Sequence, residues 1–495
     1  MSGTFEKGAK EDPSMDEKGH QSKPCLDATN TVEELTIYTQ EEERAVLRKI
    51  DRVVLPLMCI VNFFQYLDKQ SIGFAAVFNM PDELGMSSKQ YSWSVSSFYF
   101  GQLISEYVFI YIMSRLPISR TVGWTVITWG VVAGCLAAPG NFSGFTAVRF
   151  LLGFTEGGVS PAFVIITGSW YKKSEQPFRV AGWVTCNGLA QIFGALIMYG
   201  IGLAGNTAIS NWRVMFLVCG GGTVLSGILF LVFMPLGPGT AWFLNARERS
   251  IATQRLAEER ISKEQTTFKV SQLKEALLDH RVWLLVIGAF CNTLASPVIK
   301  FGTLVINGFG WSKLNTMLVS LPAGVLQIIM IWIVVVGIRV TKIPRSCWGI
   351  LASIPPLVGN ICLLVLPMDA KWGIVGCTWM ATVLSPTMVV FLSLIASNFK
   401  GNTKKSVASN SYFILYAAAA IAGPQLWTNA PRYVEGVITD IVAIGACIVV
   451  FALFGLSVGW ENKRRDKNGH RTAEEQDSGD ADVTDKQDKD FRYTW

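Results

Sequence analysis

Eight long stretches of this chain contain no aspartate, glutamate, lysine or arginine: 121–148, 180–212, 214–246, 314–338, 346–368, 372–399, 406–431 and 441–460. Each reaches the roughly 20 residues that a helix needs to cross ~30 Å of hydrocarbon. In lipid only helices and closed barrels satisfy every backbone N–H and C=O, and these stretches lack the two-residue alternation of a barrel strand. The expected fold class is therefore an all-α polytopic membrane protein. Composition agrees: half of the 495 residues are hydrophobic and only 16% are charged, against about 25% in soluble domains.

Several function classes drop out. The net charge of +6 is modest and spread over loops, so no nucleic-acid partner is expected. Ten cysteines are scattered without C-x-x-C spacing, and the three histidines (His20, His280, His470) sit in the termini or a loop. Neither a disulfide framework nor a metal site is expected. There is no Walker motif, no nucleophile–base constellation and no cofactor fingerprint, which argues against an enzyme and against ATP-driven transport. Residues 1–48 are polar and lack the apolar core of a cleavable signal peptide.

Twelve spans are expected, at about 53–78, 92–113, 122–139, 145–170, 179–203, 213–235, 282–306, 314–338, 346–366, 372–397, 406–427 and 436–460. The domain plan is a disordered N-terminal tail (1–48) that ends in a short amphipathic piece, a six-helix bundle (49–235), a polar central loop (236–281), a second bundle (282–460) and a disordered C-terminal tail (461–495). The central loop contains a charged, helix-prone stretch read as a solvated face. Loops after the even-numbered spans carry Arg115, Arg120, Lys172, Lys173, Arg179, Arg339, Lys342, Arg345, Lys400, Lys404 and Lys405; the opposite loops hold only Lys89, Lys313, Lys371 and Arg432. The positive-inside rule places both tails and the central loop in the cytoplasm. The sequon at Asn141 falls outside, in a loop too short for glycosylation to be expected.

The halves echo each other. "VSPAFVIITGSWYKKSEQPFRVAGW" after Gly158 resembles "LSPTMVVFLSLIASNFKGNTKKSVAS" after Val383, and "SRLPISR" resembles "IRVTKIPR". Parallel repeats of six spans mark transporters of the major facilitator type.

Six ionisable residues fall at membrane depth: Asp68, Lys69, Glu106, Arg149, Glu156 and Lys300. Insertion scales put Asp, Lys or Arg at roughly +2.5 to +3.5 kcal/mol each at a helix centre. Such groups face a polar cavity or pair with one another. A carboxyl that carries protons is sought among Glu106, Glu156 and Asp68. Arg149 and Lys300 are the fixed positive charges for an anion, with Asn187, Gln191, Tyr99 and Gln102 as polar substrate-binding candidates. Asp68 and Lys69 are adjacent and point about 100° apart, so they meet different neighbours. Arg149 and Glu156 share a face ~10 Å apart and do not pair directly. Gly153, Gly157 and Gly158 read as close-packing positions, with a kink at Pro161.

The segments "RFLLGFTEGGVSPAFVIITGSWYKKSEQPFRVAGWVTCNGLAQIFGALIMYGIG", "NWRVMFLVCGGGTVLSGILF" and "FMPLGPGTAWFLNARER" closely resemble the fungal allantoate permease family. "NFFQYLDKQSIGFA" and "FYFGQLISEY" fit as well, and the resemblance covers about 45–460. It implies a major facilitator fold: twelve spans, two bundles around a central cavity, rocker-type alternating access and proton-coupled uptake of small organic anions. Two departures bear on cargo. The segment after Glu106 lacks the family's proline, and "CNTLASPVIKFG" places Lys300 where relatives carry a polar neutral residue.

The resulting expectation is a secondary active transporter of a carboxylate-type organic anion, monomeric, with a small anion, a proton and the lipid bilayer as partners. The plasma membrane is the expected location, with the vacuolar membrane open. The alternatives are an efflux carrier for a fungal specialised metabolite and a non-transporting nutrient receptor.

Overall fold

The computed structural model describes residues 38–172, 174–205, 208–260, 269–367, 369–467 and 482–495. Its first helix, α1 (Gln40–Val77), is opened by a capping box: Thr39 accepts from the Glu42 amide, and the Glu42 side chain accepts from the Thr39 amide. The amphipathic piece and the first span are thus one continuous helix that starts inside the tail expected for 1–48. A short turn, α2 (Met80–Glu83), leads to α3 (Ser88–Arg115), capped in the same way by Ser87 and Gln90. The N-terminal half continues with α4 (Ile118–Cys135), α5 (Phe142–Glu156), α6 (Val159–Trp170), α7 (Gln176–Leu203) and α8 (Asn211–Phe233). Asn141, the sequon residue, accepts from the Gly144 amide as the cap of α5.

A polar helix, α9 (Ala246–Arg260), and a short amphipathic one, α10 (Val270–Leu278), follow. The C-terminal half comprises α11 (His280–Leu294), α12 (Val298–Gly308), α13 (Lys313–Val340), α14 (Arg345–Val365), α15 (Lys371–Ala381), α16 (Ser385–Asn398), α17 (Asn402–Ala422) and α18 (Val434–Lys467). Among the described residues, ten segments are long and apolar enough to cross a membrane. The second and third expected spans are α3 and α4, which have spanning length but carry more polar residues.

Three spans are broken. The fourth is split into α5 and α6 at Gly157–Gly158, just before Pro161; the tenth into α15 and α16, just before Pro386. The seventh breaks into α11 and α12 at Ser296-Pro297. Proline lacks the amide that would continue the ladder, so each break falls where the sequence removes a donor. The internal repeat reappears in the packing. Pairs α1–α7, α1–α8, α4–α8 and α3–α5 in the first bundle correspond to α11–α17, α11–α18, α14–α18 and α13–α15 in the second. The bundles meet along α1–α12, α3–α17 and α7–α13.

At the end where the basic loops gather, charged side chains tie the first bundle to its polar appendages. Lys49 pairs with Glu248, Lys172 with Glu43, and Arg255, wholly buried, with Glu175. The α9 face expected to be solvated is therefore partly packed. The C-terminal tail also departs from expectation. α18 runs on to Lys467, and residues 482–495 fold back onto the second bundle, because Tyr493, Thr484 and Asp485 find buried partners there. The remainder, 468–481, lies outside the described residues.

Candidate functional site

Close helix packing builds the site. A methyl group at Gly153 would overlap the carbonyl oxygen of Phe98, and one at Gly157 would overlap the Ser105 hydroxyl. The glycines therefore bring α5 into backbone contact with α3 and draw Glu156 and Arg149 inward. Both are buried, 1% and 2% exposed.

Their environments differ. Glu156 meets Lys69 of α1, with 2.8 Å between Oε1 and Nζ. Among the described residues Arg149 has no such partner: its guanidinium lies 5.8 Å from the Phe145 ring and 5.9 Å from the Phe216 ring. Its Nε and Nη2 make no hydrogen bond among the described residues. Flat aromatic faces suit a guanidinium through cation–π attraction, which leaves its donors for another group.

Asp68 turns the other way, into the packing of α1, α4 and α8. Trp129 Nε1 donates to its carboxylate at 2.6 Å and Thr223 Oγ1 at 3.1 Å. As adjacency on one helix requires, Asp68 and Lys69 serve different neighbours. Glu106 stands apart on α3, half-buried and without an ion pair among the described residues.

Lys300 crosses between the bundles. It lies in the first turn of α12, where a side chain at Gly73 would collide with the Lys300 carbonyl, so α1 and α12 touch backbone to backbone. Its Nζ donates to the Tyr99 hydroxyl of α3 at 2.5 Å and lies 4.4 Å from that ring. The charged groups acting most on it are cations, Arg149 and Lys69. Lys69, Arg149 and Lys300 thus stand against Glu156 alone among the described carboxylates of the site, since Asp68 is turned into the packing of α1, α4 and α8. A phenol is a weak partner for a buried ammonium, and Lys300 has no carboxylate partner among the described residues.

Hydrogen bonds that bridge the bundles gather at the end opposite the basic loops. Ser96 Oγ donates to the Ile421 carbonyl at 2.7 Å and accepts from Gln425 Nε2 at 2.8 Å. Ser92 Oγ donates to the Trp427 carbonyl at 3.3 Å, and Thr303 Oγ1 to the Gly73 carbonyl at 3.3 Å. These neutral contacts form a seal, and Lys300–Tyr99 is its charged member.

The other polar candidates scatter. Asn187 Oδ1 accepts from Asn62 Nδ2 at 2.9 Å. Gln191 packs where α7 meets Gly324 of α13, and Gln102 backs onto Gly157. Both are nine-tenths buried, each with an amide oxygen unpartnered among the described residues. Sequence reasoning passed over Lys69 as a site residue, although its charge inside a span was the signal. It also passed over Tyr66 and Tyr416, which lie beside the Lys69–Glu156 pair, and Asp440. The last is wholly buried on α18 beside Trp427; it falls inside the expected twelfth span, 436–460, and its charge there was the signal.

Residues 58–424 match the Major Facilitator Superfamily. A transporter of Schizosaccharomyces pombe described as uncharacterised is 33% identical over 470 residues, covering 92% of this chain and 88% of the relative. The allantoate permease of Saccharomyces cerevisiae is 32% identical over 474 residues, covering 92% and 87%. Among solved structures, the proton:xylose symporter XylE bound to 6-bromo-6-deoxy-D-glucose aligns with a TM-score of 0.64 at 14% identity, covering 83% of this chain and 95% of that one. The inward-open form of XylE from E. coli aligns at 0.60. A split pair of repeated six-span bundles, a charged cluster between them and these likenesses agree: the chain belongs to the major facilitator superfamily, in the family of the yeast allantoate permease, and is an integral membrane transporter rather than an enzyme.

Proposed function

We propose that the protein is a proton-coupled carrier of a small organic anion bearing a carboxylate, working by alternating access as a monomer in the plasma membrane. Lys300 is the observation that carries this reading: a buried ammonium at the bundle interface, with a phenol for a partner and two cations for charged neighbours. An incoming carboxylate supplies the charge that the site lacks, and Arg149 offers a planar fork to receive it. Allantoate, named for the yeast relative, belongs to this chemical class. The tyrosines at 66, 99 and 416 favour a larger cargo with aromatic surface.

Glu156 is the carboxyl best placed to carry the proton. Protonation dissolves its pair with Lys69 and so changes the charge of the site in step with the anion. Glu106 is the second candidate. Asp68, held by Trp129 and Thr223, acts in packing. The excess of lysine and arginine at the basic end supports a cytoplasmic location for that end and for both tails.

The test is uptake into membrane vesicles of a panel of radiolabelled carboxylates, from ureido acids to aromatic acids, with and without an imposed pH gradient. Saturable uptake of at least one acid that needs the gradient supports the reading; uptake of neutral analogues at equal rate sinks the anion assignment.

A further inference from the structure

The last fourteen residues, DVTDKQDKDFRYTW, lie across the basic end of the second bundle. They reach five of its six spans. At the start of the seventh span, Arg281 stacks 4.3 Å from the Tyr493 ring. At the ninth, the Arg345 amide donates to the Trp495 carbonyl at 2.6 Å. At the tenth, Asn398 Oδ1 accepts from the Thr494 amide at 2.8 Å. At the eleventh, Lys404 Nζ lies 2.8 Å from Asp485. At the twelfth, Asn462 exchanges two hydrogen bonds with the Tyr493 backbone, at 2.8 and 3.0 Å. Arg465 binds the Asp485, Asp488 and Phe491 carbonyls at 2.8–3.0 Å. Tyr493 is 3% exposed and Asp485 fully buried.

Comparison of the two repeats shows what this segment adds. Arg179 and Lys404 are offset by the same 225 residues that separate Ser160-Pro161 from Ser385-Pro386. Arg179 pairs with Asp51 just before the first span, and Lys404 with Asp279 just before the seventh. Each bundle thus ties its first helix to its fifth with one acid–base pair. In the first bundle that pair is partly exposed. In the second, Lys404 already holds Asp279 and Glu275, at 2.8 and 2.9 Å, so its charge is satisfied without the tail. Asp485 comes as a third carboxylate. Ordering this segment costs backbone entropy at every residue, and its hold rests on polar contacts and one buried ring. Such docking is an equilibrium that can be displaced.

We propose that residues 482–495 are a peptide ligand in cis for the floor of the second bundle, and that their occupancy binds five spans into one body able to rock against the first. The floor recognises an acidic peptide that ends in aromatic residues: Lys404, Lys400 and Arg465 read its carboxylates and carbonyls, and the slot between Arg281 and Arg465 takes Tyr493.

The experiment uses the full chain with a protease recognition sequence placed within 468–481, so that the protein folds before the tail is cut and washed away. Deuterium exchange is followed at 345–350 and 398–406. Opening of the outer seal is followed by maleimide labelling of Ser96→Cys, corrected for labelling of the same chain with Ser96 intact. Release of the tail should raise exchange at those span ends at least tenfold and slow labelling at position 96 at least threefold. A synthetic 482–495 peptide should reverse both, whereas one carrying Asp485→Asn and Tyr493→Ala should need at least tenfold higher concentration. Unchanged exchange or unchanged labelling after mass spectrometry confirms loss of the tail overturns the proposal, as does equal rescue by the altered peptide.

Discussion

The ammonium of Lys300, on the second half of the seventh span, lies 2.5 Å from the phenol oxygen of Tyr99 on the second. It joins the two bundles at the edge of the seal, and an anion in the site competes for the same nitrogen. Tyr99→Phe removes the latch but leaves the charge, so labelling of Ser96→Cys should speed up. Lys300→Met removes the charge, and carboxylate uptake should fall about 10- to 100-fold in kcat/KM, the scale of one charge-assisted hydrogen bond. Lys300→Arg should retain part of the uptake.

Lys69 and Glu156 form a buried pair, and breaking such a pair from one side typically costs about 3–5 kcal/mol. Glu156→Gln alone should therefore lower the thermal midpoint more than Glu156→Gln combined with Lys69→Met. Both should flatten the pH dependence of uptake. Asp68→Asn weakens the contacts with Trp129 and Thr223, and should cost about 1–3 kcal/mol of stability while leaving that pH dependence in place. A flattened profile in Asp68→Asn would move the proton to Asp68.

Gly153 leaves no room for a methyl group against the Phe98 carbonyl. Gly153→Ala must push α5 off α3 and should cost about 1–3 kcal/mol, read as a lower midpoint in detergent. Gly134, whose methyl would meet open space, is the control, and Gly134→Ala should be neutral.

Outside the membrane, burial pushes the Asp279 carboxyl up, but the charge and hydrogen bond of Lys404 outweigh it and hold the group below the ordinary carboxylate value. Asp488 is held low in the same way: burial raises it, and Lys400 more than compensates. A carboxyl depressed in the folded state contributes stability above its unfolded pKa of about 3.9 and loses it as pH falls through the lower folded value. Deuterium exchange at 485–494, corrected for the intrinsic rate of amide exchange at each pH, should thus stay constant from about pH 8 to 5 and rise only below about pH 4. A rise near pH 6 would contradict this.

The sequence made the spans legible because lipid imposes length and charge rules that act locally. Ser160-Pro161 and Ser385-Pro386 likewise disclosed the repeat through a local cause, a missing donor. Partners were harder to read. That Glus and lysines sit inside spans is written in the chain, but the meeting of Lys69 with Glu156, or of Lys300 with Tyr99, depends on how α1, α3, α5 and α12 are turned, which no short window encodes. Arg149 looked like one of two charges facing a cavity, yet aromatic rings of α5 and α8 flank it. The tail misled most. Its composition is that of a disordered segment, and its docking depends on Lys404, Arg465 and Asn462, which are brought together only by the finished bundle.

The most direct test of the central claim is carboxylate uptake by purified protein in liposomes, under an imposed inward proton gradient, compared between the native chain and Lys300→Met. Saturable uptake should collapse with a protonophore and fall at least tenfold in Lys300→Met. Uptake that ignores the protonophore, or that survives intact without the Lys300 charge, would contradict that claim.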